Sequence, residues 1–505
     1  MANIQQKLAE SLKELQQLQN KAGVAIVKSS DLTRTHLQRL VQSGFLEEVM
    51  RGWYISSRPD ILKGDTTNWF TSYWHFITHY ANTHFGDEWC LSADQSLAIY
   101  SGNRTAPTQL IIRVNKESSN NVKLLHSTSI LYFKASLANH IYKDQDFNLN
   151  LYSLEEALIE CSPDFFKLDS IAARTCLSMV TDVGDILKII LEEGQTIKAG
   201  RLVGAFRNIG NIAAADEIME TMKSLGYDIR EEDPFEHKSS LAYTRTKSPY
   251  TTRLKLMWNK MRSTVMEHFP SITHQHTDIE SCLQSIDTQY LQDAYHSLSI
   301  EGYQVTDDLI KKVESGDWHP DSDTHDAQQR NAMAARGYWQ AFQAVKTSIE
   351  KILAGKNPGE VIDSDHRTWY RELFAPATTV GIIQPSDLAG YRNSQVYIRG
   401  SMHVPLNADA VRDVMPTLFE LLGEEPDARV RAILGHFFFG YIHPYSDGNG
   451  RIARFLMNTM LISGGYNWTI VPVERRQEYM QALEEASVRE NIAPFTQFIA
   501  SLIEL

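Results

Sequence analysis

Apolar residues fall at helical spacing from the start of the chain. Ile4, Leu8, Leu12, Leu15 and Leu18 share one stripe and predict a helix over 4–19. Asp31 stands where an N-cap would, ahead of Leu32, Leu37, Leu40 and Val41, and Gly44 closes this second helix. Two short strand-like runs follow, Phe45–Val49 and Trp53–Ile55, joined at Arg51-Gly52. Further on, Gln109–Val114 predicts a strand, and 154–159 and 213–226 predict helices. From Thr252 the pattern is helix after helix. It is clearest over Asp326–Leu353, where Ala332, Ala335, Tyr338, Phe342, Val345, Ile349 and Ile352 form a near-continuous stripe.

Helix, turn, helix and hairpin over 1–58 is the layout of a winged helix. Its second helix would present Arg34, His36, Gln38 and Arg39 near the polar face, side chains able to reach phosphates and base edges in a major groove. The alternative is a small helical domain with a solvated basic face. The run from Ser30-Asp31-Leu32 through Gly44-Phe45-Leu46 to Arg51-Gly52-Trp53-Tyr54 resembles the N-terminal module of AbiE-type antitoxins, which implies a transcriptional regulator. Residues 59–230 read as an antitoxin-like α/β middle domain without a catalytic cluster. Residues 231–250, with Pro234 and Pro249 and few apolar positions, read as a linker to a last domain over 251–505.

Composition adds limits. The chain of 505 residues suggests about three domains, and its 43% hydrophobic and 22% charged residues are those of a globular protein. Cys90, Cys161, Cys176 and Cys282 are far apart and form no CxxC pair, which fits a reducing cytoplasm better than a disulfide scaffold. The N-terminus lacks the basic start and apolar run of a signal peptide. The most apolar stretch, Phe437–Ile442, is too short to span a bilayer, so a cytoplasmic protein without membrane contact is expected. The net charge of −13 argues against broad nucleic-acid binding, but residues 1–58 carry +3, compatible with a small DNA-contacting head.

The chemistry concentrates in His443-Pro444-Tyr445-Ser446-Asp447-Gly448-Asn449-Gly450-Arg451. An apolar run ends at His443, a glycine-rich turn follows, and a new helix begins with Ile452, Phe455, Leu456 and Met460 as its buried stripe. Such a turn feeding a helix N-terminus makes an anion cradle, because unpaired N–H groups point outward. Arg451 and Arg454 project from the first turn, where arginine opposes the helix dipole unless an anion is bound. Asp447 could hold Mg²⁺, which favours oxygen ligands shared with phosphates. His443 has the ordinary pKa range of a general base. Base, metal carboxylate, cradle and arginines are the parts needed for attack on a phosphate.

The stretch closely resembles the Fic motif, His-x-Phe-x-Asp/Glu-Gly-Asn-Gly-Arg-x-x-Arg, with Tyr445 where phenylalanine is usual. The resemblance covers about 250–505 and implies a mainly α protein: an all-helical core with a short β-hairpin flap, behind the winged-helix head and the α/β middle region. It implies a protein adenylyltransferase moving AMP from ATP to a hydroxyl of a target protein, or of itself, with release of pyrophosphate. His443 would deprotonate the hydroxyl and Asp447 bind Mg²⁺. Gly448, Asn449 and Gly450 would hold the α- and β-phosphates with Arg451 alongside, and Arg454 would grip the γ-phosphate. Val396, Tyr397 and Ile398 resemble the flap that registers a target by strand addition. Tyr479 resembles a tyrosine near the adenine, although a packed core tyrosine fits the same pattern.

Ser297-Leu298-Ser299-Ile300-Glu301-Gly302 resembles the Fic inhibitory motif, Ser/Thr-x-x-x-Glu-Gly/Asn, and places an inhibitory helix near 290–302. It implies that Glu301 pairs with Arg454 in place of the γ-phosphate, with Ser297 and Gly302 framing it. The alternative reading is an ATP-sensing, DNA-binding regulator without transferase activity. Removal of AMP, transfer of another phosphate group, the target's identity, DNA as a partner through the head and a homodimer all stay open at this level.

Overall fold

A computed structural model describes residues 4–503 apart from 23–25, 60–64, 116–118, 239–247, 273–277, 316–325 and 380–382. The chain divides into two compact units, one formed by 1–249 with 397–404 and one by 250–396 with 405–505.

The first unit opens with α1 (Ile4–Ala22), β1 (Ile26–Lys28), α2 (Arg34–Gln42), β2 (Leu46–Met50) and β3 (Trp53–Ser56). The three strands pair antiparallel in the order β1-β3-β2. Gly52, at φ +83°, supplies the left-handed position in the turn between β2 and β3. The cap of α2 differs from expectation. Thr33 accepts from the His36 amide, while Asp31 accepts from the Lys28 amide at 2.8 Å and closes the preceding turn. Ile26, Val49, Trp53 and Ile55 share a core with Trp69, Tyr73, Trp74, Phe76 and Ile77 of α3 (Thr67–Phe85), so head and middle region are packed together.

The unit continues with β4 (Trp89–Leu91), α4 (Ala93–Tyr100), β5 (Gln109–Val114), β6 (Asn120–Lys123), β7 (Ser129–Lys134), β8 (Ile141–Lys143) and β9 (Asn150–Tyr152). The larger sheet has the order β4-β5-β7-β6, with β5 and β7 parallel in register from Gln109↔Ser129 to Val114↔Lys134. Six helices close the unit: α5 (Leu154–Glu160), α6 (Phe165–Leu168), α7 (Ser170–Met179), α8 (Gly184–Glu193), α9 (Thr196–Asn208) and α10 (Ile212–Ser224). Part of the stretch expected as a linker is packed. The Glu232 amide donates to Gly200 O at 3.1 Å, and Phe235 is buried edge-on against Phe166. Gly200 and Gly204 of α9 permit this, since added Cβ atoms would lie 1.9 and 2.1 Å from backbone oxygens of Arg230 and Glu232. The remainder, 239–247, lies outside the described residues.

Among its described residues the second unit contains no strand. Its helices are α11 (Pro249–His268), α12 (Ile279–Ile300), α13 (Asp307–Glu314), α14 (Asp326–Leu353), α15 (Pro358–Thr379), α16 (Ala408–Glu424), α17 (Ala428–Ile442), α18 (Asn449–Ser463), α19 (Arg476–Arg489) and α20 (Ala493–Ala500). Helix α14 spans the predicted stretch, and Tyr338, Phe342, Val345 and Ile349 are buried as its stripe requires. Helix α17 is apolar on nearly every face, so its neighbours enclose it. Buried Ile452, Phe455, Leu456 and Met460 seat α18 beneath the loop that joins the two. The segment 392–406 reverses at Gly400 (φ +74°), where the Ser401 amide donates to Ile398 O at 3.1 Å. The hairpin strands expected there are not formed. No helix among the described residues is long and apolar enough to cross a membrane.

Helices α14 and α15 approach closely at Gly337, where an added Cβ would lie 1.9 Å from Leu373 O. Gly337→Ala gains helix propensity of about 1 kcal/mol but must push the helices apart. A net loss of about 2 kcal/mol or more is expected in urea unfolding; an unchanged midpoint would refute this packing.

Candidate active site

The loop between α17 and α18 is built by its own side chains. His443 ends α17 in the left-handed region (φ 55°, ψ 59°), which turns the chain out of the helix. Asn449 fixes the loop's far side: its Oδ1 accepts from the Tyr445 amide at 2.9 Å and its Nδ2 donates to Tyr445 O at 2.8 Å. The Asn449 side chain thereby ties the loop's far side to the backbone of Tyr445. Gly448 sits at φ +81°, and an added Cβ would lie 2.7 Å from the Phe374 ring, so glycine is required there twice over. Helix α18 starts with no side-chain cap, which leaves its first amides available to an anion.

His443 Nδ1 lies 3.2 Å from Gly440 O. A carbonyl only accepts, so Nδ1 carries the proton and Nε2 keeps its lone pair. Burial, with a contribution from Arg392, lowers the His443 pKa to about 4, against the opposite pull of the Gly440 carbonyl. The imidazole is therefore neutral near pH 7. Arg392 also holds the loop in place, since its Nε donates to His443 O at 2.8 Å and its amide donates to Pro444 O at 3.0 Å.

The cradle is covered by a carboxylate of the same chain. Glu301, just past the end of α12, accepts from Arg454 Nη2 at 2.8 Å. Arg454 also donates from Nε to Ser297 Oγ at 2.8 Å and from Nη2 to Ser297 O at 3.1 Å. An added Cβ at Gly450 would lie 2.5 Å from Glu301 Oε1, so the carboxylate rests against the first turn of α18. Burial works to raise the Glu301 pKa, but the charges of Arg454 and Arg451 outweigh it and hold the carboxyl below its usual range. Gly302, at φ +88°, turns the chain directly afterwards. Of the expected inhibitory residues, Ser297 and Glu301 thus bond to Arg454, while Gly302 turns the chain after them. Near them, buried Asp293 accepts from Tyr338 Oη at 2.6 Å, and burial pushes its pKa up to about 6.

The other expected residues have distinct surroundings. Arg451 is buried between aromatic rings, its guanidinium carbon 4.9 Å from the Phe374 centroid and 5.3 Å from that of Tyr303, and its Nη2 reaches Asp447 Oδ1 at 3.3 Å. Asp447 is largely exposed, and its Oδ1 also accepts from the Gly448 amide at 2.6 Å. Tyr479 is packed, with Oη 2.9 Å from His436 Nε2 and its ring stacked on His436. Val396 belongs to the second unit, and Tyr397 and Ile398 to the first. Within the first unit, Arg399 pairs with Asp65 at 3.1 Å and the Gly400 amide donates to Thr67 Oγ1 at 2.9 Å. In α2, His36 Nδ1 meets Ser11 Oγ at 2.8 Å, and Arg39 donates to Lys7 O and Ser11 Oγ at 2.7 Å, so both are engaged with α1; Arg34 and Gln38 are exposed or partly so. Phe374, Tyr303 and Arg392 went unremarked as site residues in the sequence because each acts through a fold contact that no local spacing encodes.

Residues 364–461 match the Fic/DOC family, a span that includes the whole loop and most of α18. The chain carries a Fic/DOC domain. Among curated proteins, "Protein adenylyltransferase Fic" of Drosophila willistoni is 29% identical over 219 residues, 43% of this chain and 40% of that protein. Its Drosophila virilis counterpart is 30% identical over 219 residues, 43% of this chain and 41% of that protein. The match therefore spans about two fifths of these relatives' length. Among solved structures, a Fic-1 fragment from C. elegans aligns at TM-score 0.36 and 18% identity over 69% of this chain and 87% of its own. A Fic domain-containing signaling protein from Bacteroides thetaiotaomicron aligns at 0.34 and 19% over 49% and 93%.

Tyr445, which replaces the usual phenylalanine of the Fic motif, is buried and stacked on Tyr370 with centroids 3.7 Å apart. Its hydroxyl has no partner among the described residues. A buried hydroxyl left unpaired costs about 1–3 kcal/mol. Tyr445→Phe is expected to keep the fold and gain roughly 1 kcal/mol in denaturant unfolding, and a loss of that size would show that the hydroxyl is bonded in solution.

Proposed function

We propose that this protein is an autoinhibited protein adenylyltransferase. The observation that carries the proposal is the Glu301 carboxylate on Arg454, against the first turn of α18, beside a histidine whose Nε2 is available as a base. A carboxylate held on this guanidinium marks a place shaped for an anion, and a phosphate suits the same donors. The curated relatives' name supports AMP as the transferred group and ATP as its source.

In the reaction, a target hydroxyl is held near His443 Nε2, which takes its proton as the oxygen attacks the α-phosphorus. The bond from the α-phosphorus to the bridging oxygen breaks, and pyrophosphate leaves. The first amides of α18 stabilise charge on the phosphate oxygens. Arg451 lies against the Phe374 and Tyr303 rings and steadies Asp447. Asp447 fits Mg²⁺ as a single exposed carboxylate at the rim of the cradle, and no group of three or more metal-ligating side chains occurs among the described residues. That suits an ion bound mainly by substrate phosphates and water. When bound, the ion supplies charge neutralisation. With Glu301 on Arg454, the γ-phosphate has no guanidinium to hold it, and ATP cannot adopt the reactive pose.

The proposal predicts that incubation with Mg²⁺ and α-³²P ATP labels the protein weakly, and that Glu301→Gly raises labelling about 10- to 100-fold, the equivalent of one charge-assisted hydrogen bond of roughly 1.5–3 kcal/mol. His443→Ala in that background is expected to lower labelling by about 10²- to 10⁴-fold. Label from γ-³²P ATP instead would point to phosphate transfer, and no label in any variant would refute the transferase.

The pH profile gives a separate check. The His443 pKa lies near 4, so the base is deprotonated above about pH 5. In Glu301→Gly protein, kcat/KM is expected to stay level from pH 7.5 down to about 5.5 and fall only below. A midpoint near 6.5 would mean that the ring is solvated in the working enzyme.

A further inference from the structure

Beside the catalytic loop, the second unit contains a cavity of about 710 Å³ whose lining includes Arg367, Tyr391, Arg392, Arg412 and Ser446. Among its described lining residues Asp363 is the single carboxylate, against three guanidinium groups. This balance stands out in a chain of net charge −13. No ion pair occupies any of the three arginines among the described residues, and their hydrogen bonds go to neutral acceptors. Arg392 is buried and donates to His443 O and Ser394 O, both at 2.8 Å, and to Leu406 O. Arg412 is exposed and donates to Ala408 O at 2.7 Å, to Arg392 O at 3.4 Å and to Asn393 Oδ1. Arg367 is exposed with its guanidinium carbon 5.2 Å from the Tyr391 ring centroid.

Backbone and amide oxygens orient guanidinium groups but leave their charge uncompensated. Burial, and then the neighbouring Arg412 charge, lower the Arg392 pKa to about 10. An anion entering the cavity would relieve that repulsion and meet Arg367 and Arg412 on its exposed side. Ser446 places the cavity against the loop between His443 and Asp447, and Arg392 touches the same loop through its bonds to His443 O and Pro444 O.

We infer that this cavity is a specificity site for acidic side chains of the protein substrate, close in sequence to the hydroxyl that receives AMP. The inference rests on the adenylyltransferase reading and deepens it by giving the substrate segment a chemistry. Aspartate and glutamate near the acceptor would dock on Arg367 and Arg412, while a basic segment would be repelled. Surface charge of this kind chooses among partners.

The test is binding to the full-length protein, read by fluorescence anisotropy at low salt. Two short labelled peptides are compared, each with a central threonine, flanked by glutamates in one and by glutamines in the other. The glutamate peptide is expected to bind about 10-fold more tightly, with the preference shrinking as salt rises. Combined Arg367→Ala and Arg412→Ala should abolish the preference while leaving the thermal midpoint unchanged. Should that pair unfold, Arg412→Gln alone is expected to weaken the preference at least about 3-fold, as loss of one of two charged contacts requires. Equal binding of both peptides, or a glutamate preference that survives in a folded variant, overturns the inference. The two readings fail separately. Self-labelling with α-³²P ATP and no peptide preference would leave the transferase and remove this site. A charge-dependent preference with no labelling in Glu301→Gly would leave the site and remove the transferase.

Discussion

The pairing of Arg454 with Glu301 constrains everything around it. Arg454 projects from the second turn of α18 and is almost wholly buried, a condition that disfavours a cation. Burial works to lower its pKa, but Glu301 holds the guanidinium charged. A second anion is therefore built into the site's electrostatics: whichever group stands before Arg454 must carry negative charge. A carboxylate of the chain and, under the proposed function, the terminal phosphate of a nucleotide would satisfy the same need, which would make the contact a switch. Ser297 contributes both its hydroxyl and its carbonyl to the same guanidinium, so the arginine keeps its direction when the anion changes.

Catalytic geometry rests on a small number of backbone decisions near the loop. His443 occupies the left-handed region, uncommon for a residue with a side chain, and its neighbours sustain that conformation. Arg392 holds the carbonyls of His443 and Pro444, and Asn449 bridges the amide and carbonyl of Tyr445. Asn449 thus serves the loop's shape as a clamp. The glycines on either side do the reverse and keep atoms away: Gly448 leaves room for the Phe374 ring, and Gly450 leaves room for the incoming anion.

Elements written by local pattern were legible in the sequence. The stripe over Asp326–Leu353 returned as α14 over the same residues, and the glycine-rich turn returned as the loop before the start of α18. The pairing of Glu301 with Arg454 was implied by the family resemblance, but the two bonds from Arg454 to Ser297 Oγ and O were not, since they depend on how α12 meets α18. The cap of α2 escaped because Asp31 and Thr33 are both competent, and a turn bond to the Lys28 amide engages the former. The polar face assigned to α2 was misleading for a similar reason. His36 and Arg39 look solvated by spacing, yet both bond to α1, so the basic character of the head is partly spent inside it. The packing of 231–235 was illegible because its cause lies elsewhere, in Gly200 and Gly204 of α9.

Under the proposed function, the exposure of the two partners sets which side of the contact would move. The Glu301 side chain is 28% exposed, whereas that of Arg454 is 5% exposed. A carboxylate at the boundary can exchange its partner for water at small cost, but a buried guanidinium cannot. Glu301 also stands past the last turn of α12 and before the left-handed turn at Gly302, so its side chain can swing without unwinding the helix. Ser297 and Asp293, one and two turns back, are buried and hydrogen-bonded and keep α12 seated. Release of the proposed brake would therefore require rotation of one side chain and an anion to replace it on Arg454. The energetic scale of the switch is then that of a single ion pair, far below the cost of undocking a helix.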